Sequence, residues 1–525
     1  MSATVTAPVA ARRDLASLQW LVLVGLAAVA GLALRVWVYR SSMGVPDSDE
    51  AVVGLMALHV LDGELPVFFW GQGFGGSQEA ILTAPLFWAF GPSWLALRIV
   101  PIALTAVAAV VVWRVGRRTI GEPAATVAGC LAWIWPPFLI QRLTHQFGFY
   151  AGGLLYSALL LLVGLRLVER PSRARAAVFG LVIGLALWQS AQVLPVAVGV
   201  VAWTLWKQPR WLRHAWIAIL LAVVGALPSL VWNARHDWGS LDSTIANTTS
   251  YAHRLRIFLS PLLGMLLGLR TPYTQERLVP SVLTLLAYAA LAGLFVYGAY
   301  RARHRAASLL YVVAALFPVV YALAPQTLFS QEPRYLLVLS PVVVLLVAQL
   351  GTTYRRGVAV LGVALAISVA TLARMDTYLA EVPPQPPKAP RNLAPLVATL
   401  DRLGVDRVYA DFWLAYRLAF DTDERIVAAQ NKLERVGLVN GDAIPARHPF
   451  IRRRSYERAV EGAPHGFVFF GASLREGADR SPGAPAEARV RQLARFTAAL
   501  ERAGYHPTQV GPFVVYARLA DGADG

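Results

Sequence analysis

From Ala16 to Tyr39 the chain is almost continuously apolar, with Arg35 its only charged residue. Roughly 20 such residues span the 30 Å or so of hydrocarbon in a bilayer, so this run is long enough to cross one. Inside lipid no water satisfies backbone N–H and C=O groups, and the run must therefore be helical. Arg35 and Trp37 stand where a cleaved signal peptide needs small residues, which favours a retained first membrane helix over a removed leader.

The pattern recurs along the chain. The 525 residues are 56% hydrophobic and only 15% charged, against about 25% charged in water-soluble domains. Further apolar segments run from Leu97 to Gly116, Pro123 to Ile140, Gly148 to Val168, Ala176 to Gln189 and Ala191 to Trp206. Others run from Ala215 to Trp232, Ser281 to Tyr300, Ser308 to Leu323, Leu336 to Leu350 and Gly357 to Leu372. A net charge of +17 first suggests a nucleic-acid binder. The basic residues instead fall in short loops between apolar segments: Arg12-Arg13, Arg117-Arg118, Arg170 to Arg175, Lys207 to Arg213, Arg301 to Arg305 and Arg355-Arg356. With the N-terminus in the cytoplasm, about eleven spans place every one of these loops inside and the C-terminus outside. Two shorter apolar stretches, Ile81 to Phe90 and Ile257 to Leu269, break this alternation if counted singly, and are read as surface-lying or re-entrant helices on the outer side. The lone cysteine, Cys130, lies in an apolar segment and reads as a small core residue with no intrachain disulfide. The expected fold is a polytopic α-helical membrane protein, over residues 1–375, in a cell membrane.

A Pro-rich linker, 376–391, ends the membrane part. Beyond it, helix-like Leu393 to Leu403, Phe412 to Phe420 and Ala486 to Ala503 alternate with strand-like Arg407 to Ala410, Gly466 to Phe470 and Phe513 to Ala517. This predicts a small extracytoplasmic α/β domain over 392–525. It carries no glycine-rich nucleotide fingerprint and no metal-ligand cluster, so its role stays open at this stage. Asn247-Thr248-Thr249 fits a glycosylation sequon, a pattern common by chance.

The first outer loop, 40–95, concentrates polar chemistry. It holds Asp47, Asp49, Glu50, His59, Asp62, Glu64 and Glu79 among Phe68, Phe69, Trp70 and Phe74. Asp47 and Glu50 have the spacing of an N-cap and its N3 partner, a capping box opening a helix through Leu61. Asp49 at N2 has two readings: a charge favouring the helix dipole, or a carboxylate held at the membrane boundary to take a proton or bind a cation.

The order of motifs resembles a known superfamily. A first helix is followed by Asp49-Glu50-Ala51, Leu61-Asp62-Gly63-Glu64-Leu65-Pro66, Gly71-Gln72, Gly75-Gly76-Ser77-Gln78-Glu79-Ala80, Phe90-Gly91 and Leu97-Arg98. Together these resemble the opening of the GT-C glycosyltransferases, in particular glycosyltransferase family 39: the bacterial relatives of dolichyl-phosphate-mannose protein mannosyltransferases and of lipid A aminoarabinose transferase. Glu332-Pro333-Arg334-Tyr335-Leu336-Leu337 resembles the same superfamily's last outer loop. The resemblance implies inverting transfer of a sugar from a polyprenyl-phosphate donor to a glycan, lipid or protein hydroxyl on the outer face. It places the family's acidic pair on Asp49 and Glu50, with Asp49 as general base. A leaving lipid phosphate calls for cations, for which Arg334 with Tyr335 is the first candidate and Arg142 and Arg98 the next. Each arginine also has the plainer reading of snorkelling to headgroups. Asp47, Glu79 and His145 are candidates for contacts to acceptor or sugar.

Two departures from the pattern matter. The aminoarabinose-transferase branch carries a lysine and two prolines where this chain has Gly75-Gly76-Ser77, so that branch's phosphate-binding lysine has no counterpart. The second outer loop, Gln141 to Gln146, lacks the carboxylate that many relatives place there; His145 is the substitute on offer, or a plain hydrogen-bonding residue. Asp47-Ser48-Asp49 also reads as D-x-D, which leaves a divalent metal open while the resemblance requires no cofactor. The rival from another class is a transporter or flippase of envelope lipids, which predicts ionisable groups along a path through the helices. No nucleic-acid partner is expected.

Overall fold

The computed structural model describes residues 9–241, 249–324, 330–384, 388–430, 438–439, 442–443, 451–474 and 486–518. Asn247 and Thr248 of the sequon lie outside them.

Every apolar segment is helical. The membrane part runs through α1 (Val9–Arg40), α2 (Ser48–Leu61), α3 (Gln78–Phe90), α4 (Trp94–Thr119), α5 (Glu122–Ile134) and α6 (Pro137–Arg142). It continues through α7 (Tyr150–Glu169), α8 (Arg173–Gln189), α9 (Leu194–Lys207), α10 (Ala215–Arg235), α11 (Tyr251–Ile257) and α12 (Leu263–Leu267). It closes with α13 (Ser281–Ala302), α14 (Ser308–Tyr321), α15 (Ser340–Ala348) and α16 (Tyr354–Glu381). Six helical stretches among the described residues are long and apolar enough to cross a membrane, and three shorter apolar helices accompany them. Leu21, Leu26 and Val29 of α1, Ile219 of α10, and Val282, Leu285 and Val296 of α13 are exposed. Water would not tolerate so broad an apolar face, and lipid does.

The segment expected as one span from Pro123 to Ile140 is two helices, because Pro136 and Pro137 interrupt the hydrogen-bond ladder after Ile134. The two stretches excluded from the span count behave differently from spans as well. α3 is a 13-residue helix whose Leu82, Trp88 and Phe90 are exposed. Residues 251–267 break at Ser260, whose backbone is extended ahead of Pro261.

Two contacts join basic loops in pairs. Arg118 at the end of α4 pairs with Glu169 at the end of α7, 3.4 Å apart. Lys207 at the end of α9 donates to the Arg303 carbonyl after α13, at 2.5 Å.

The chain then forms a five-stranded sheet. β1 (Arg407–Ala410) lies between β2 (Val427–Gln430) and, beyond the short β3 (Leu438–Val439) and β4 (Asp442–Ala443), β5 (Gly466–Phe470), parallel to both. β7 (Phe513–Arg518) pairs antiparallel with β5 and with β6 (Tyr505–Val510), giving the order β2-β1-β5-β7-β6. α17 (Ala394–Arg402), α18 (Phe412–Asp421), α19 (Arg454–Glu461) and α20 (Ala486–Arg502) complete the unit.

This domain is not a separate appendage. Val52, Leu55 and Phe87 of α2 and α3 share one buried core with Leu396, Phe412, Phe420 and Val515. Gly54 faces Phe420 so closely that a Cβ there would sit 2.5 Å from the ring. Trp94 donates to Asp421 at 2.8 Å across the same seam. The acidic loop and the C-terminal sheet domain thus fold as one layer on the bundle.

Candidate active site

α2 begins where the sequence places it. Asp47 is the N-cap, its Oδ1 accepting from the Glu50 N–H at 3.0 Å. The capping box is only half formed, because the Glu50 side chain turns away from the helix start. Its Oε1 and Oε2 accept from Arg98 Nε and Nη2 at 2.5 and 2.6 Å, and the Gln146 N–H donates to Oε1 at 3.1 Å. Glu50 and Arg98 are 0% and 1% exposed. Burial alone raises a carboxyl's pKa, but the Arg98 guanidinium and His145 outweigh it and hold Glu50 well below the carboxylate range. Arg98 also donates to the Gly44 carbonyl at 3.0 Å.

His145 belongs to this cluster. Burial, then the neighbouring guanidinium of Arg98, lower its pKa, while Glu50 acts to raise it, and Nε2 donates to the Met43 carbonyl at 2.8 Å. Nδ1 lies 3.1 Å from both Arg98 Nη2 and Glu50 Oε2. The imidazole of the second outer loop thus faces Glu50. Both Glu50 oxygens are saturated inside the protein.

Asp49 is placed differently. Its side chain is 28% exposed, and Oδ1 accepts from Arg452 Nη2 at 2.9 Å. Oδ2 has no hydrogen-bond partner among the described residues. Asp47 lies beside it; burial, then the charges of Asp49 and Glu50, push the Asp47 carboxyl up to about 7, and Arg142 draws it partly back.

Arg142 ends α6 and is only 8% exposed, yet among the described residues it makes no hydrogen bond and no ion pair. Its guanidinium is stacked over Phe147 at 3.8 Å and Tyr150 at 4.7 Å. Tyr273, Glu332, Arg334 and Tyr335 lie within its electrostatic reach or one neighbour further. Arg334 is directly ion-paired with Glu332, which is 2% exposed. Burial acts to raise Glu332, but Arg334 and Arg142 hold it below the ordinary carboxylate value. With that pair neutral, Arg142 supplies the net positive charge of the cluster. Sequence reasoning ranked Arg334 first and gave Glu332 no role; the spacing Glu332-Pro333-Arg334 was the available signal.

Glu79 lies elsewhere, at the start of α3 and 1% exposed. Its Oε1 accepts from the Gly152 N–H at 2.8 Å and from Gln189 Nε2 at 3.2 Å, with no cation. Burial pushes this carboxyl up to about 8, and those two hydrogen bonds pull it back only in part. The unfolded chain loses this proton near the ordinary value of about 4.5, the folded chain only near 8. The stability linked to it is therefore full below about pH 4.5 and is lost as pH rises to about 8. Glu79→Gln is expected to flatten that part of the curve and to raise the melting temperature above pH 8 relative to the parent. Thermal denaturation at a series of pH values checks this, and an unchanged slope contradicts it.

Among the described residues no group of three or more His, Cys, Asp or Glu side chains converges. In the D-x-D pair, Asp47 caps a helix and Asp49 holds a guanidinium.

The structure defines a polytopic α-helical protein whose long apolar helices suit a membrane, closed by a C-terminal α/β domain. No protein-family model matches the chain, and no curated protein matches it. Among solved structures it is similar to ArnT from Cupriavidus metallidurans bound to undecaprenyl phosphate, with a TM-score of 0.61 and 15% identity over 96% of this chain and 98% of that one. It is also similar to ArnT from the same organism in the apo state, with a TM-score of 0.58 and 16% identity over 95% and 98% of the two chains. At such identities the likeness establishes the fold, and the chemistry has to be argued from the residues.

Proposed function

We propose that this protein is an inverting glycosyltransferase that moves a sugar from a polyprenyl-phosphate donor to a hydroxyl acceptor at the outer face of a membrane. The observation that carries the reading is the pairing of roles at one end of the bundle. A partly exposed carboxylate with an open oxygen, Asp49, lies beside Asp47, which in turn feels the charge of Arg142, a buried guanidinium with no ion pair among the described residues.

Asp49 Oδ2 takes the proton of the acceptor hydroxyl as its oxygen attacks the anomeric carbon. A positioned base contributes about 10² to 10⁴-fold. The bond from that carbon to the phosphate oxygen breaks on the opposite face, which inverts the configuration. The bonding electrons leave with the lipid phosphate. As a sugar diester that phosphate carries one negative charge, matched by Arg142; on leaving it gains a second, which hydrogen bonds from the Tyr335 hydroxyl and the Arg334–Glu332 pair help to hold. Glu50, Arg98 and His145 act as the frame that fixes the start of α2. The undecaprenyl phosphate in the structurally similar ArnT supports a lipid phosphate as the ligand class. The basic loops between the apolar segments support the outer-face orientation, with the C-terminal domain on the outer side.

Arg142→Gln is expected to weaken binding of polyprenyl phosphate by about 10 to 150-fold, the value of a charge-assisted contact of 1.5 to 3 kcal/mol. Titration of the purified protein with the carrier measures it. Unchanged affinity would move the phosphate site elsewhere.

A further inference from the structure

Resting on the reading of Asp49 as the base, we propose that the C-terminal domain supplies its positioning residue, Arg452, and that the domain is thereby part of the reaction site. Arg452 bridges two groups of the first loop, donating from Nη2 to Asp49 Oδ1 at 2.9 Å and from Nη1 to Gln72 Oε1 at 2.8 Å. Its side chain is 7% exposed, with the guanidinium 4.8 Å from the Phe69 ring centre and 5.4 Å from that of Phe412. One aromatic comes from the first loop and the other from α18, so the guanidinium sits in the seam itself.

The backbone that delivers it is equally constrained. The Arg452 N–H donates to the Tyr416 hydroxyl at 2.7 Å. Gly71, at φ 71°, approaches so closely that a Cβ would lie 2.2 Å from the Ile451 carbonyl oxygen. Next to it, Arg453 forms a bidentate pair with Glu64 at 2.5 and 2.8 Å and stacks over Trp70 at 4.3 Å. Docking is thus secured by Arg453 and the shared core, and neither needs Arg452. What Arg452 adds is a fixed hold on one oxygen of Asp49, which sets the rotamer and leaves Oδ2 for the acceptor. A planar fork spanning a carboxylate and an amide is suited to this, whereas an ammonium reaches one of them at a time. Reacting groups misplaced by about 1 Å lose on the order of 10²-fold in rate.

The test uses the full-length protein with a lipid extract of its native membrane as donor and acceptor pool, following the initial rate at which polyprenyl phosphate is released. Arg452→Gln is expected to lower the rate by on the order of 10²-fold while polyprenyl phosphate affinity stays within about two-fold of the parent. Arg452→Lys should retain an intermediate rate, and guanidinium ion added to Arg452→Gly should restore part of the loss. Arg453→Gln, which removes a docking pair alone, should keep a near-parental rate. A parental or raised rate in Arg452→Gln overturns the proposal, and so does a parallel loss of rate and carrier affinity that guanidinium does not repair. If Arg452→Gln folds poorly, Arg452→Lys and its rate carry the test. Full rate in Asp49→Asn defeats the underlying reading as well, whereas loss in Asp49→Asn with none in Arg452→Gln defeats only this inference.

Discussion

Asp49→Asn is expected to fold and insert as the parent does and to lose 10² or more in turnover. Asn keeps the size of the side chain and can still accept from Arg452 through its amide oxygen, but it cannot take a proton. Its place at N2 of α2 contributes at most a few tenths to 1 kcal/mol through the helix dipole, too little to unfold the loop. Asp47→Asn should be far milder, since Asn caps a helix about as well as Asp and the Oδ1 contact to the Glu50 N–H is preserved. The check is carrier-release rate alongside melting temperature for both variants, with and without chelator. Full activity in Asp49→Asn excludes it as the base. Equal collapse of both variants with chelator sensitivity would restore the D-x-D metal reading.

The second large effect falls on stability. Arg98→Ala removes the bidentate partner of Glu50, leaving a fully buried carboxylate with only His145 and one backbone N–H. Breaking a buried ion pair from one side costs about 3 to 5 kcal/mol. A marked fall in melting temperature is therefore expected. A phosphate-binding Arg98 predicts the opposite pattern, lost carrier affinity with stability intact. The two are separated by measuring both on the same preparation. Arg334→Ala is a poorer probe of phosphate binding, because it strands Glu332 in the same way.

What was legible in the sequence follows from what is locally encoded. Apolar run length and basic loops locate helices, since both answer to the bilayer and not to partners far along the chain. Strands β1 and β5 were read at their observed bounds, because short β-branched and aromatic runs flanked by turns are local signals. β2, Val427–Gln430, and β6, beginning at Tyr505, were missed: the first is a short alanine-rich run and the second contains Pro507. The N-cap at Asp47 was likewise a local matter. The partners of the acidic residues were not. Glu50 meets Arg98 and His145, Arg334 is claimed by Glu332, and Asp49 is held by Arg452 from the far end of the chain. Only the three-dimensional pairing shows that Arg98 is consumed and Arg142 is not. The docking of α18 on α2 is equally invisible, because Phe420 against Gly54 leaves no pattern in either segment.

The most direct measurement is mass spectrometry of lipids and envelope glycans from cells lacking this protein, complemented with the parent or with Asp49→Asn. A polyprenyl-phosphate sugar is expected to accumulate and one glycosylated product to lose that sugar; the parent should reverse both changes, and Asp49→Asn, though present in the membrane at parental level, neither. Unchanged lipids and glycans in the deletion, or full reversal by Asp49→Asn, would contradict it.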